Sequence, residues 1–135
     1  MQRTKSRASA LLGAMLIPIG VAGAAPFAIS DSYTASESLV EGTYACRSGL
    51  DVDSFTYTFD VAGSAYSVRG VDSPAGSLEI DAEGTISFHS GPFAADETAA
   101  MFGRATLRNS DDNPVIILGY FFTDGETSYD FCARL

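Results

Sequence analysis

Few side chains in this sequence could act as catalysts, and His89 is the only histidine among its 135 residues. Hydrolysis by an activated nucleophile needs a base that an orienting carboxylate holds in place. Serines and aspartates are plentiful, but the nucleophile motif G-x-S-x-G does not occur. A single histidine just before the turn S-G-P is typical of a solvated strand end. We therefore predict no catalytic residues, and we expect that the protein is not an enzyme.

Two cysteines, Cys46 and Cys132, are the remaining side chains with redox or metal chemistry. A pair of cysteines in an exported chain points to one disulfide, with a free catalytic thiol as the alternative. The bond would connect the two ends of the folded region and close a loop of almost its whole length. One histidine and two bonded cysteines do not make a zinc site, so we predict no metal and no cofactor.

Carboxylates cluster in three predicted turns, at residues 51–53, 111–113 and 124–126. Calcium takes six or more oxygen ligands at about 2.3–2.6 Å, and such turns could supply several of them. The spacing of the twelve-residue helix–loop–helix motif is absent, and aspartate is common in turns because it hydrogen-bonds to the nearby backbone. The sequence leaves calcium binding by these turns open.

Aromatic side chains are more numerous than a narrow core can hold unless they contact one another. Small eight-stranded barrels are either filled by side chains or hold one small ligand. A solid aromatic core and a pocket lined by tyrosine hydroxyls are both compatible with this composition. The candidate pocket residues are Tyr57, Phe59, Tyr66, Phe88 and Tyr120. The candidate rim of that pocket is the loop with His89, Pro92 and Phe93.

Short alternating runs would place these side chains on strands. In residues 52–61, Tyr57, Phe59 and Val61 share one face while serine, threonine and aspartate share the other, which is the period of a half-buried strand. Turn residues separate further runs at intervals of about ten residues, which indicates an antiparallel meander. We predict an all-β fold of about eight short strands, as a small closed barrel or, alternatively, a two-sheet sandwich.

Three segments depart from this alternation. Asp96 could cap one helical turn in the sequence E-T-A-A-M that follows it. Residues 115–122 are apolar on both faces, which predicts a strand that is covered on both sides or contacts a partner. Tyr129 and Phe131 are out of phase with Cys132, so either a bulge shifts the last strand or these two aromatics face outward.

The N-terminus has the pattern of a secretory signal peptide. Three basic residues among the first seven precede a short apolar stretch that ends in A-G-A at residue 24. A membrane-spanning helix needs about 20 apolar residues, and this stretch is shorter and interrupted by glycine and proline. We predict a signal peptide at residues 1–24, a flexible leader at residues 25–40 and one domain at residues 41–135. The protein would then be exported to the periplasm or the medium.

The charge of the chain limits its partners. It is −9 overall, and loss of the three basic residues of the signal leaves five basic residues against all 17 acidic ones, a net charge of −12. Such a field repels phosphate backbones and anionic lipid. We therefore expect no nucleic-acid partner and no membrane partner after signal cleavage, whereas a small molecule or a cationic protein remains compatible.

Five short strand and turn motifs are spread over most of the chain: G-T-Y-x-C, Y-x-F, A-Y-S, I-S-F-x-S-G-P and a closing cysteine near an arginine. Their residues are Gly42, Tyr44, Cys46, Tyr57, Phe59, Tyr66, Ile86, Phe88, Ser90, Gly91, Pro92 and Cys132. The pattern resembles a loose group of small exported bacterial proteins of uncharacterised function. In architecture it is also similar to lipocalin-like and inhibitor-type barrels, although the chain has no tryptophan and so lacks the lipocalin motif G-x-W. The resemblance implies an exported β-barrel and no particular activity.

Two functions are compatible with these observations. The first is an exported, non-enzymatic binding protein, a small disulfide-closed β-barrel that holds an unknown small ligand. The alternative is an acidic inhibitor or shield protein that acts against a cationic exported hydrolase or peptide.

Overall fold

The computed structural model of the protein describes residues 29–48 and 51–135, and for residues 51–55 it describes the backbone alone. The predicted signal peptide and the first residues of the predicted leader lie outside this part of the chain. Nine strands are present in the described residues: β1 Tyr33–Ala35, β2 Gly42–Ser48, β3 Asp51–Ala62, β4 Ala65–Val68, β5 Gly76–Ile80, β6 Thr85–Phe88, β7 Ala99–Arg108, β8 Pro114–Phe122 and β9 Thr127–Arg134.

The strands β2 to β9 form a closed antiparallel barrel. Each of these eight strands pairs with the next one along the chain, and β9 pairs back onto β2. This confirms the predicted all-β meander, and it is the barrel rather than the two-sheet sandwich. Within the part of the chain that the structure describes, no helix is long and apolar enough to span a membrane.

A disulfide joins the first and last strands of the barrel. Cys46 of β2 and Cys132 of β9 lie directly opposite each other in the closing ladder, and their side chains are fully buried. The predicted disulfide is therefore confirmed. Because 86 positions separate the two cysteines, the bond turns almost the whole barrel into one covalent loop.

The core of the barrel follows from the alternation of the strands. On β3, Phe59 and Val61 are buried and Tyr57 is half-buried, and all three belong to the interior cluster. The corresponding residues of the neighbouring strand are Tyr66 and Val68, which are also buried. Successive side chains of a strand point to opposite faces, so one face of each strand fills the interior.

The outer face of β8 is covered by the segment that precedes the barrel. β1 pairs with β7 at residues 106–108, beyond the part of β7 that pairs with β6. Ile29 and Tyr33 pack against Val115 and Ile117, and the Tyr33 ring stacks on Phe131 with the ring centres 5.7 Å apart. The prediction that β8 is covered on both sides is thus confirmed, and Phe131 faces outward without moving Cys132 from the interior.

Within the predicted flexible leader, the segment at residues 29–40 pairs with the barrel through part of its length. It contains β1, and the backbone of Ser36 donates a further hydrogen bond to Ala105 at 2.9 Å. The sequence Y-T-A has no apolar alternation of its own. The strand forms because the end of β7 leaves backbone groups unpaired, and these must find partners.

The helical turn predicted after Asp96 is wrong, because Ala99–Arg108 is the strand β7. Asp96 instead closes a turn, where its Oδ1 atom accepts the backbone N–H groups of Thr98 at 2.8 Å and Ala99 at 3.0 Å. Helix propensity is a weak local preference that tertiary contacts override. Here the ladder between β7 and β8 runs over nine residue pairs and determines the outcome.

Candidate functional site

One end of the barrel carries the residues that the sequence pattern singled out. Successive strands are antiparallel, so the connections at residues 69–75, 89–98 and 123–126 all lie at the same end. We call this the loop end of the barrel. The connection at residues 89–98 is the longest of the three, and it carries Phe93 into the interior.

Phe93 occupies the centre of an aromatic cluster just inside the loop end. Its side chain is 7% exposed although it belongs to a loop. Its ring stacks on Tyr66 at a centroid distance of 5.1 Å and meets the edges or faces of three other rings: Phe88 at 5.2 Å, Phe59 at 5.3 Å and Tyr57 at 5.9 Å. Such offset and edge contacts are the favourable arrangements of aromatic rings.

The hydroxyl group of Tyr66 holds the loop over the barrel. It donates to the carbonyl of Ser90 at 2.7 Å and accepts the backbone N–H of Phe93 at 2.7 Å. Burial raises the pKa of Tyr66, and the N–H of Phe93 offsets part of this rise. Gly91 has φ +90°, and it packs against Gly76 and the Tyr66 hydroxyl so closely that a side chain on either glycine would collide. The sequence S-G-P thus allows the close approach that brings Phe93 inside.

A buried polar group lies beside the Phe93 ring cluster. It consists of Asp130, Tyr57 and Tyr120, and we call it the Asp130 cluster. Both hydroxyl groups donate to Oδ2 of Asp130, at 2.8 Å from Tyr57 and 2.9 Å from Tyr120, and the two hydroxyl oxygens are 2.7 Å apart. Asp130 is 8% exposed and is the one buried acidic residue among the described side chains.

Three strands place the Asp130 cluster in the interior. Tyr57 is in phase with Phe59 on β3, Tyr120 with Leu118 on β8, and Asp130 with Cys132 on β9. The register of β2 sets Cys46 between Tyr57 on one side and Cys132 on the other. The disulfide therefore joins β9, which carries Asp130, to β2, which pairs with the strand of Tyr57.

The hydroxyl groups of the cluster are permanent hydrogen-bond donors. Burial raises the pKa of Tyr57, and Tyr120 and Asp130 raise it further. Burial also raises the pKa of Tyr120, where the contact with the Tyr57 hydroxyl acts in the opposite direction and Asp130 adds to the rise. Both tyrosines therefore stay neutral over the whole working range of pH.

Three ion pairs between described residues lie outside the barrel interior: Arg69–Asp60 at 2.9 Å, His89–Glu79 at 2.9 Å and Arg108–Asp111 at 2.8 Å. None of these three pairs includes Asp130, whose carboxyl group is held by the two neutral hydroxyls. The observed hydrogen-bond partners of the Asp130 carboxyl group are therefore neutral.

The structure brings together all five candidate pocket residues. Tyr57, Phe59, Tyr66 and Phe88 contact the ring of Phe93, and Tyr120 joins them through the hydroxyl of Tyr57. Each of the five belongs to the interior cluster.

The three candidate rim residues separate. Phe93 lies inside the barrel, Pro92 is half-buried, and His89 is exposed and bonds to Glu79 across neighbouring strands. The interior space at this end is therefore occupied by a side chain from the predicted rim.

Asp130 is the functional candidate that the sequence reasoning missed. Its signal was present, because a residue two positions before an interior cysteine on a regular strand must also face the interior. An acidic residue at such a position is uncommon, since aspartate is rarely buried without a partner.

The acidic turns have local structural roles. Asp111 accepts the backbone N–H of Asn113 at 3.0 Å and pairs with Arg108, and Asp124 accepts the N–H of Glu126 at 2.9 Å. Hydrogen bonds from Arg108 and from the Asn113 backbone lower the pKa of Asp111. Among the described residues no group of three or more histidine, cysteine, aspartate or glutamate side chains is arranged to hold a metal ion. The side chains of residues 51–53 lie outside the description.

The chain matches no known protein family, no curated protein and no solved structure. Its resemblance to small exported bacterial proteins therefore stays a prediction. The loop end thus gathers aromatic faces, two hydroxyl donors and one carboxyl group in an apolar interior.

Proposed function

We propose that the protein is a non-enzymatic binding protein, which takes a small ligand into the loop end of its barrel. The observation that carries this proposal is the position of Phe93. A loop, rather than a strand, supplies the side chain that fills the interior beside a buried polar cluster. A ligand can take that place if the loop moves, whereas strand residues could not leave without breaking the barrel.

The polar cluster supports a binding role over a purely structural one. Burying a polar group costs about 1–3 kcal/mol unless hydrogen bonds compensate, and a carboxylate costs more. A core that serves stability alone is better filled by apolar side chains of similar volume. Ligand sites, in contrast, combine apolar walls with a few convergent polar groups, which is the composition found beside Phe93.

The loop that carries Phe93 is suited to movement. Residues 95–98 are exposed. Inside the barrel a single hydroxyl, that of Tyr66, bonds to the loop by donating to the Ser90 carbonyl and accepting the Phe93 N–H. Loop opening around a bound molecule is a common way to admit and retain a ligand.

An exported location completes the proposal. The disulfide is consistent with an oxidising compartment, and the pattern of residues 1–24 favours passage through a secretory route. We propose that the protein works in the periplasm or outside the cell.

Native mass spectrometry on protein exported from a bacterial host tests the binding function. We expect additional mass that disappears on denaturation, or, for protein that is purified empty, thermal stabilisation by members of a library of small apolar ligands. Phe122→Ala is a matched control, because Phe122 is an exposed aromatic residue at the same end of the barrel, and this variant should bind as the wild type does. Bare protein that no member of the library stabilises would refute the proposal.

The exposed acidic surface favours a second candidate, the acidic inhibitor or shield. Among the described acidic side chains, only Asp60 and Asp130 are not exposed. Such a surface would associate with cationic exported hydrolases in a manner that salt weakens. A panel of basic lysozymes and proteases at low salt tests this candidate, and absence of inhibition throughout the panel would exclude it.

A further inference from the structure

We propose that the ligand of the barrel is an aromatic ammonium compound, whose charged nitrogen lies against Asp130 and whose ring takes the place of the Phe93 ring. This inference rests on the proposed binding function and specifies its substrate class. It follows from the acidic group of the Asp130 cluster, from the aromatic faces around it, and from the contacts of Tyr57 with both Asp130 and Phe93.

Charge is the first argument. The observed partners of the Asp130 carboxyl group are the neutral hydroxyls of Tyr57 and Tyr120. A buried carboxylate without a cation pays a desolvation cost that an ion pair with good geometry would offset. The net charge of −9 acts in the same direction, because it concentrates cations near the protein and repels anions.

The aromatic surroundings of the cluster are the second argument. Tyr57 and Tyr120 are half-buried, and each bonds to Asp130 through its hydroxyl group. Ammonium groups are attracted to the faces of such rings, by about 0.5–1 kcal/mol at exposed sites and about 2 kcal/mol when desolvated. A carboxylate flanked by tyrosines is therefore a better site for an ammonium group than for a neutral donor.

The third argument concerns adjacency. Tyr57 belongs to both parts of the site, since its hydroxyl bonds to Asp130 while its ring meets the Phe93 ring at 5.9 Å. The Phe93 ring and the Asp130 carboxyl group are thus both neighbours of Tyr57. A ligand that carries a phenyl ring and an ammonium group has one group for each part of the site.

Phe93→Ala provides the test, because it removes one phenyl ring and leaves the three residues of the Asp130 cluster unchanged. Apolar cavities of this kind bind molecules that match the deleted group. The probes are 2-phenylethylamine, 2-phenylethanol and phenylacetate, which share the ring and differ in the charge of the polar end. Isothermal titration calorimetry on the disulfide-bonded protein at neutral pH should show the amine binding at least tenfold more tightly than the alcohol, and phenylacetate binding most weakly.

Two further variants locate the source of this preference. In the double variant Phe93→Ala with Asp130→Asn, the amine should lose its tenfold advantage while the alcohol binds as before. Phe88→Ala opens a cavity of the same size in the same aromatic cluster, but Phe88 contacts Tyr66 and Phe93 rather than the Asp130 cluster. That variant should show no preference for the amine. Circular dichroism and the melting temperature establish that each variant is folded.

The outcomes separate this inference from the proposed function. If the alcohol binds Phe93→Ala as tightly as the amine does, the inference of an ammonium ligand is wrong, while the proposed binding function is still supported. If none of the three probes binds folded Phe93→Ala, the space of Phe93 is not a ligand site and both proposals fail. Should the double variant with Asp130→Asn not fold, the comparison of amine and alcohol in Phe93→Ala alone still decides whether the site prefers a charged ligand.

Discussion

At the scale of single residues, the barrel interior is organised by tyrosine hydroxyl groups. Tyr66 holds the loop that contains Phe93, and Tyr57 and Tyr120 hold the carboxyl group of Asp130. Tyrosine suits this position because it fills the interior with its ring and still offers a polar atom. Since burial raises the pKa of all three above the ordinary value for tyrosine, their hydroxyl groups stay protonated at neutral pH.

The two tyrosines of the Asp130 cluster should both contribute to stability. Tyr57→Phe and Tyr120→Phe each remove one donor to Asp130 and leave the other in place. We expect each variant to lower the free energy of unfolding by about 1–3 kcal/mol. Urea denaturation measures the effect.

Tyr33→Phe serves as the control for these variants, because it alters a hydroxyl outside the barrel and keeps the ring that stacks on Phe131. It should change stability by less than about 0.5 kcal/mol. Equal and negligible effects of all three substitutions would show that the cluster does not contribute to folding.

Phe93→Ala should be costly for a residue of a loop. Truncation of a buried phenylalanine typically lowers stability by about 3–5 kcal/mol, and a loop that can relax into the cavity brings the value toward the lower limit. Phe122→Ala at the same end should cost less than about 1 kcal/mol, since its ring is partly exposed. Similar unfolding midpoints for the two variants in urea would mean that Phe93 spends much of its time outside the barrel.

At the scale of elements, the sequence pattern was sufficient to predict which side chains face the interior wherever polar and apolar residues alternate. Phe59, Val61 and Tyr66 could be assigned to the interior because their strands repeat with period two. β1 could not be predicted, because its three residues are recruited by the free end of β7 rather than by any local pattern. The burial of Phe93 could not be predicted for a related reason, since a loop has no period from which a buried position can be deduced.

The turns between the strands should make the fold sensitive to acid. Hydrogen bonds from the backbone and side chain of Thr98 and from the Ala99 backbone lower the pKa of Asp96 below its ordinary value. A carboxylate with a lowered pKa in the folded state contributes its full stabilisation above the ordinary value of about 3.9, and it loses this contribution as the pH falls through the folded value. The urea concentration at the unfolding midpoint should therefore decrease when the pH is lowered below about 4.

Asp96→Asn tests the contribution of this turn, because asparagine can still accept the hydrogen bonds but does not titrate. The variant should be less stable than the wild type at pH 6 and should lose less stability between pH 6 and pH 2. Glu97→Gln changes an exposed neighbour. This variant should lose an amount of stability between pH 6 and pH 2 that is closer to the loss of the wild type. An unchanged acid profile in Asp96→Asn would assign the acid sensitivity to other carboxylates.

At the scale of the whole molecule, closure of the barrel and formation of the site depend on the same seam. β2 and β9 meet over the pairs from Tyr44 with Arg134 to Ser48 with Asp130, and the disulfide lies in the middle of that ladder. Asp130 is thus at one end of the closing ladder, two residues from Cys132. Anything that opens the seam also moves the carboxyl group away from Tyr57.

The double variant Cys46→Ala with Cys132→Ala should lower the free energy of unfolding by up to about 4–5 kcal/mol, because a bond across 86 positions strongly restricts the unfolded chain. The five backbone pairs of the seam remain, so the barrel should still form at low temperature, with a urea midpoint well below that of the oxidised protein. If the site depends on the seam, the variant should also lose the preference for 2-phenylethylamine when combined with Phe93→Ala. A folded variant that keeps the preference in full would show that pairing of β2 with β9 is sufficient to position Asp130, and the disulfide would then contribute stability alone.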